Sequence, residues 1–140
     1  MANDTLWRIL LDHLNTWEDK PCEILYDKFA KNGLSMRMQQ LSGTVIVRKY
    51  VNGSFIGLYP FAVSLRIDGQ DTETRLDAAD KLCALTEWLS VNPPDLGADR
   101  DFYDFEATTP SQSAIYEDDT EDYAVTITMR YYQKGDYTHV

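Results

Sequence analysis

Hydrophobic positions change period several times along this chain, and each change marks an element. Leu6, Leu10, Leu14 and Trp17 recur at helical spacing, with Ile9 widening the stripe, so residues 4–18 are expected to form a helix capped by Asn3 or Asp4 and ended by Pro21. Residues 23–30 fit neither period clearly, and Asn32-Gly33 signals a turn. From Leu34 the period falls to two: Leu34, Met36 and Met38 alternate with Ser35, Arg37 and Gln39, as in a half-buried strand. Ser42-Gly43 then turns the chain into a second strand over 44–51. Asn52-Gly53 suits a two-residue type I′ hairpin, whose central residues both need positive φ. Beyond it Phe55, Tyr59, Phe61, Val63, Leu65 and Ile67 keep one parity along a third strand closed by Asp68-Gly69.

A two-residue loop sets the register. It brings Tyr50 opposite Phe55, Arg48 opposite Gly57 and Ile46 opposite Tyr59, and leaves Val45, Val47, Ile56 and Leu58 on the other face. Both faces of the hairpin are then partly apolar, whereas a strand with one wet face normally alternates cleanly. Val45, Val47, Ile56 and Leu58 are therefore candidate contacts for another element or another subunit. Pro60 cannot donate to a ladder and is expected at an edge or a bulge, where it would shift the parity.

Helical periodicity returns at 72–90, with Ala78, Leu82, Leu85 and Leu89 as the buried stripe and Thr74-x-x-Asp77 resembling a capping box. Asn92 to Gly97 reads as loop and Phe102 to Ala107 as a short strand. Tyr123, Val125, Ile127, Met129 and Tyr131 alternate with polar partners as the last strand. The order is helix, three strands, helix, strand, strand. It predicts an α+β fold, with a mostly antiparallel or mixed sheet of about five strands and two main helices packed on a face. Residues 1–132 are assigned to one domain and 133–140 to a polar, flexible tail.

With 140 residues, 44% of them hydrophobic and 12% aromatic, the chain has material for one substantial core. Its 13 basic and 23 acidic residues leave a net charge of −10. Sequence-independent binding to nucleic acid needs cation-driven counterion release, and an anionic membrane surface also repels such a chain. Neither is expected as a partner. No signal peptide or membrane span is expected from the N-terminus or the apolar runs. Cys22 and Cys83 are too few for a disulfide framework and are expected to be reduced, a single bridge being the alternative.

Little in the sequence points to catalysis. His13 and His139 lack a ligand-spaced partner, and Cys83 falls within a helix stripe. No phosphate loop, nucleophile elbow or metalloprotease motif occurs, so no catalytic residue, cofactor or metal is assigned and the chain is not expected to be an enzyme. The acidic residues are distributed unevenly. Between Asp95 and Asp122 there are ten, opposed by Arg100 alone. The segment reads as a solvated loop region, or as an acidic surface facing DNA or a basic partner. Asp99-x-Asp101-x-Tyr103 fails the EF-hand pattern. Asp99, Asp101, Asp104, Asp118 and Asp119 are the candidates for such a surface. Strand cations (Arg37, Arg48, Lys49, Arg66, Arg130) make the chain dipolar, which favours head-to-tail contact between identical copies.

Arg48-Lys49-Tyr50-Val51-Asn52-Gly53-Ser54-Phe55, the following Phe61-Ala62-Val63-Ser64-Leu65-Arg66, the helix from Arg75 to Leu89 and the strand from Tyr123 to Tyr132 together resemble a known family. It comprises the small minor capsid proteins of tailed phages and prophages of Gram-positive bacteria, and is in turn similar to phage tail terminator proteins. The resemblance spans nearly the whole chain, although Lys49-Tyr50-x-x-Gly53 is a short motif. It implies a subunit that closes into a ring, commonly a hexamer, capping the tail tube and joining it to the head. Partners would be further copies of itself, tail-tube proteins and head-completion proteins, with DNA only as passing cargo. The locations implied are host cytoplasm during assembly and then the virion. Two rival readings remain: an acidic binding protein that mimics DNA or inhibits a host enzyme, and a small enzyme using a carboxylate site.

Overall fold

The computed structural model describes residues 6–29, 34–68, 71–116, 118 and 120–135. Helix α1 (Leu6–Leu14) is followed by strands β1 (Ile24–Tyr26), β2 (Ser35–Gln40), β3 (Val45–Lys49) and β4 (Phe55–Asp68). Helix α2 (Thr72–Val91) then precedes β5 (Arg100–Ala107), β6 (Ser111–Ile115) and β7 (Thr120–Gln133). All seven strands join one mixed sheet, two more strands than expected. The two additions are β1, three residues pairing parallel with β2, and β6, whose Ser-Gln-Ser-Ala-Ile sequence carries no alternation. The class is α+β.

Two strands of 14 residues form the axis of the sheet. β4 and β7 pair antiparallel from Phe55↔Gln133 to Asp68↔Thr120 without a break in register. Each lends its outer edge to two shorter strands. β3 covers Phe55 to Leu58 and β2 covers Phe61 to Arg66 on β4, while β5 and β6 divide the free edge of β7. Pro60 falls in the gap between β2 and β3. Its carbonyl accepts the Leu41 N–H at 3.3 Å, so its nitrogen faces the same side, where no donor is required. It causes neither a bulge nor a change of parity; Tyr59, Phe61, Val63, Leu65 and Ile67 are all buried.

These odd-numbered β4 residues, with Val125, Ile127, Met129 and Tyr131 of β7 and Met36 and Met38 of β2, meet the helices in one core. α1 contributes Leu6, Leu10 and Leu14 and α2 contributes Ala78, Leu82, Leu85 and Leu89. Removing each large side chain from water contributes roughly 1.5–3 kcal/mol. Leu34, expected beside Met36, is 47% exposed instead, lying just ahead of β2.

Helix boundaries differ from expectation for local reasons. α1 stops at Leu14, after which Thr16 and Trp17 donate to carbonyls three residues back. Trp17 is still buried, from the turn rather than the helix. The proposed caps Asn3 and Asp4 lie outside the described residues, as do the Asn32-Gly33 turn, Gly69, His139 and residues 136–140. At α2 the N-cap is Asp71, whose carboxylate accepts the Thr74 N–H at 2.8 Å. Thr74 is thus the capped residue rather than the cap. His13 donates its Nε2–H to the Asn92 carbonyl at 2.6 Å and stacks 4.9 Å from Trp88, which ties the end of α1 to that of α2. Gln133 belongs to β7, and the Lys134 N–H donates to the Asp99 carbonyl at 2.8 Å, so ordered pairing reaches past the assigned tail boundary. Cys22 and Cys83 are free thiols, and burial raises the Cys22 pKa.

Two acidic neighbours, Glu121 and Asp122, secure opposite faces because strand side chains alternate. Glu121 points to the helices, accepting Arg75 Nε at 3.0 Å and the Gln112 amide at 2.5 Å. Asp122 points the other way and accepts Arg66 through Nε at 2.8 Å and Nη2 at 3.0 Å. Both carboxylates are buried, at 2% exposure. Arg66 also lies 4.0 Å from the Phe29 ring and 4.8 Å from that of Tyr116.

Hydrogen bonding to Arg75 holds the Glu121 carboxyl below its ordinary 4.5. A depressed carboxylate adds stability above its unfolded value and loses it as pH falls through the folded one. Urea midpoints should therefore fall on acidification below 4.5. Glu121→Gln should lower the midpoint at neutral pH and flatten that acid limb; an unchanged limb would remove Glu121 as its source.

Candidate interaction surface

The end of the sheet that carries β3 is built around a glycine. A Cβ on Gly57 would meet Thr44 Cγ2 at 2.6 Å and the rings of Phe55 and Tyr131 at 3.2 Å. Without a side chain there, the Tyr131 ring lies across the strand and its hydroxyl reaches Thr44 Oγ1 at 2.7 Å. This explains the one glycine that interrupts a strand pattern.

The hairpin loop itself departs from the two-residue form. Tyr50 N–H donates to the Ser54 carbonyl at 2.9 Å and Gly53 N–H to the Tyr50 carbonyl at 3.1 Å. Val51, Asn52 and Gly53 make a three-residue loop with Gly53 alone left-handed, at φ 88°, the form that ends in a glycine bulge. Asn52 Oδ1 accepts the Ser54 N–H at 3.0 Å, which takes the asparagine out of the role a type I′ turn would give it. Gly135 packs directly against this turn; any side chain there would collide with the Asn52 carbonyl.

One extra loop residue moves the whole register. Lys49 pairs with Phe55 and Arg48 with Ile56; after a bulge at Val47, Ile46 pairs with Gly57 and Val45 with Leu58. The expected pairs Tyr50–Phe55, Arg48–Gly57 and Ile46–Tyr59 are replaced. Val45, Ile56 and Leu58 nevertheless share the face turned away from the helices, because the bulge restores their parity. Val47 sits in the bulge. Ile56 and Leu58 are half-buried, while Val45 and Val47 are 51% and 53% exposed. Ile46 lies on the helix-facing side and is still 50% exposed. Every residue of β3 is exposed, so among the described residues nothing closes over either of its faces. Sequence reasoning missed Ile46 because the assumed loop turned it inward. The signal that would have found it is the asparagine before the glycine, which can bond its own backbone instead of taking positive φ.

Across the open face two rows run from edge to edge: Val45–Leu58–Arg130–Asp104 and Arg48–Ile56–Tyr132–Asp101. Tyr50 lies 6.5 Å from the Tyr132 ring, and Arg48 lies 5.8 Å from the ring of Tyr50. Apolar and basic groups thus hold one edge and carboxylates the other.

The acidic candidates do not form a single patch. Asp101 and Asp104 lie on β5 and Asp99 just before it, with Asp104 paired to Arg130 at 2.5 Å. Asp118 lies at the opposite end of β7, where bonding to Thr120 lowers its pKa. The ten steps of strand from Thr120 to Arg130 span roughly 33 Å. Asp119 lies outside the described residues. Glu121 and Asp122, counted in the same acidic segment, are buried ion-pair partners rather than surface charge. No grouping of three or more potential metal ligands occurs among the described residues, and no helix among them is long and apolar enough to cross a membrane.

The arrangement defines an α+β chain with two helices on one sheet face and one exposed apolar edge. Among solved structures it is similar to a chain from the virion of a native gene transfer agent particle, with a TM-score of 0.56 over 78% of each chain. Identity is 12%, so the likeness is one of fold. No protein-family model matches the sequence, and no curated protein matches it.

Gly57→Ala should destabilise the protein by roughly 1–3 kcal/mol, the usual cost of overpacking. Adding Thr44→Ser removes the colliding methyl and should recover part of that loss in urea unfolding. Equal stability of wild type and Gly57→Ala would show that the strand does not need this close approach.

Proposed function

We propose that this chain is a structural protein of a phage-like virion, assembling into a ring at the head-proximal end of a tail tube as a tail terminator or head–tail joining component. The observation that carries this reading is β3. Five consecutive exposed residues include Val45, Ile46 and Val47, each at least half exposed, on a strand whose own helices leave it bare. Isolated exposed apolar side chains are ordinary, but a contiguous patch marks an interaction site. The fold likeness to a gene transfer agent virion chain supports the same class of role. So does the resemblance of the hairpin and helix segments to phage minor capsid proteins.

The role requires no catalytic group, metal or cofactor. Its partners are further copies of the chain, in a hexamer on the family's pattern, together with tail-tube and head-completion proteins. It places the chain in host cytoplasm during assembly and in the virion afterwards. DNA would pass as cargo, and exposed carboxylates such as Asp118, if they face the passage, would repel it. A DNA mimic spreads its charge at regular spacing over one face. Two acidic groups at opposite ends of β7, with Glu121 and Asp122 neutralised inside, give that rival less support.

Light scattering after size exclusion, over a range of concentrations and with cognate tail tubes added, tests the reading. Wild type should form rings on its own or on tubes. Ile56→Asp with Leu58→Asp should remain folded and weaken self-association by roughly hundredfold or more, since each 1.4 kcal/mol is a factor of ten. Rings formed equally well by the double variant would remove this face from the interface.

A further inference from the structure

We infer that copies of this chain join edge to edge, the outer edge of β3 in one copy pairing antiparallel with the outer edge of β5 in the next. This rests on the ring assembly proposed above and names the surfaces that would build it.

Both edges are available. Among the described residues β3 pairs only with β4, and β5 only with β7. Each therefore presents a line of backbone groups to solvent, which templates another strand unless something blocks it. The two edges also lie at the same level of the sheet. Lys49 and Arg100 end one row through Phe55 and Gln133, and Arg48 and Asp101 end the next through Ile56 and Tyr132.

Strand direction fits as well. β3 runs against β4, β4 against β7 and β7 against β5, so β3 and β5 point opposite ways. Two copies set side by side in the same orientation bring β3 of one against β5 of the other as an antiparallel pair. The sheet then continues in the order β5-β7-β4-β3 from subunit to subunit. Such a contact is head-to-tail, the kind that generates rings when the rotation closes.

Charge selects this pairing over its alternatives. β3 ends in Arg48 and Lys49, and β5 carries Asp101, Asp104 and Glu106 against the single cation Arg100, which would lie level with Lys49 but whose Nε donates to Gln133 at 2.9 Å. With no stagger, Arg48 of one copy meets Asp101 of the next on the same face. Pairing β3 with β3 would set cations together, and β5 with β5 would set carboxylates together, both unfavourable. Asp101 makes no ion pair among the described residues, whereas Asp104 is held by Arg130.

Bulges and terminal lysines commonly protect edges from association, and both occur here. The bulges lie between Ile46 and Arg48 and between Phe102 and Asp104, close in level on the two edges. A bulge bends its strand and adds twist, so a sheet bulged at every junction curves. Curvature opposes an endless flat stack and suits a closed ring. A strand built only to repel neighbours would also not carry Val45, Ile46 and Val47 exposed.

Disulfide trapping tests the pairing. Within one chain β3 and β5 are separated by three inter-strand steps, roughly 14 Å, beyond the roughly 7 Å that a disulfide can span between Cα atoms. With Cys22 and Cys83 replaced by Ser, chains carrying Arg48→Cys and Asp101→Cys are mixed and oxidised, as are chains carrying Val45→Cys and Asp104→Cys from the neighbouring row. A mixed dimer joining a β3 cysteine to a β5 cysteine is expected, with self-pairs of either chain at least tenfold rarer. A chain carrying both Arg48→Cys and Asp101→Cys should give a ladder of covalent oligomers that stops at the ring. Dominant self-pairing of Arg48→Cys chains would overturn the proposal in favour of a two-fold contact. Rings of wild type by light scattering with no β3–β5 disulfide in any pair would overturn the edge contact and leave ring assembly standing. Wild type that stays monomeric at every concentration and on tubes would overturn both.

Discussion

The ladder between β4 and β7 is the constraint on which the rest depends. Its register runs unbroken from Phe55↔Gln133 to Asp68↔Thr120, so every other strand inherits its position from one of these two. The partners are far apart in sequence, with α2, β5 and β6 between them, and closing that loop costs entropy before any contact offsets it. The offset comes from alternation: Tyr59, Phe61, Val63 and Leu65 face the same side as Met129, Ile127, Val125 and Tyr123, and α2 covers that side. A slip by one residue would turn this whole set to solvent.

Charge does two different things in this molecule. At one end of the ladder Glu121 and Asp122 are desolvated and bound to Arg75 and Arg66, and removal of either arginine would leave a buried carboxylate with only a neutral donor, Gln112 or Tyr116. At the other end Arg48, Lys49, Asp101 and Asp104 stay in water, where their net contribution to folding is small. Each buried carboxylate is matched by one arginine, so the two pairs leave the net charge of −10 unchanged. Of the ten acids in the 95–122 segment, the exposed ones on β5 and Asp118 lie at opposite ends of β7.

The long periodic elements were legible in the sequence because burial and period coincide there: Leu6-Leu10-Leu14, Ala78-Leu82-Leu85-Leu89, the odd positions of β4 and those of β7. β1 and β6 were not, being short and, for β6, polar and exposed; tertiary pairing rather than local pattern makes them strands. Asp71 escaped notice as a cap because Thr74 with Asp77 offered a matching motif three residues on. The candidate surface was legible in part. Val45, Ile56 and Leu58 were placed on one face, although by a register that the three-residue loop replaces. Which of the ten acids are spent on ion pairs was not legible, because it depends on Arg66 and Arg75 arriving from elements distant in sequence.

The shared edges give the sheet a grain. Load applied along β4 and β7 in opposing directions falls on all their register pairs at once, because antiparallel hydrogen bonds lie across the strands. Load applied across the sheet meets short strands at the margin, β1, β3, β5 or β6, and these part a bond at a time. The sheet is therefore stiff along its two long strands and yields first at its short marginal ones.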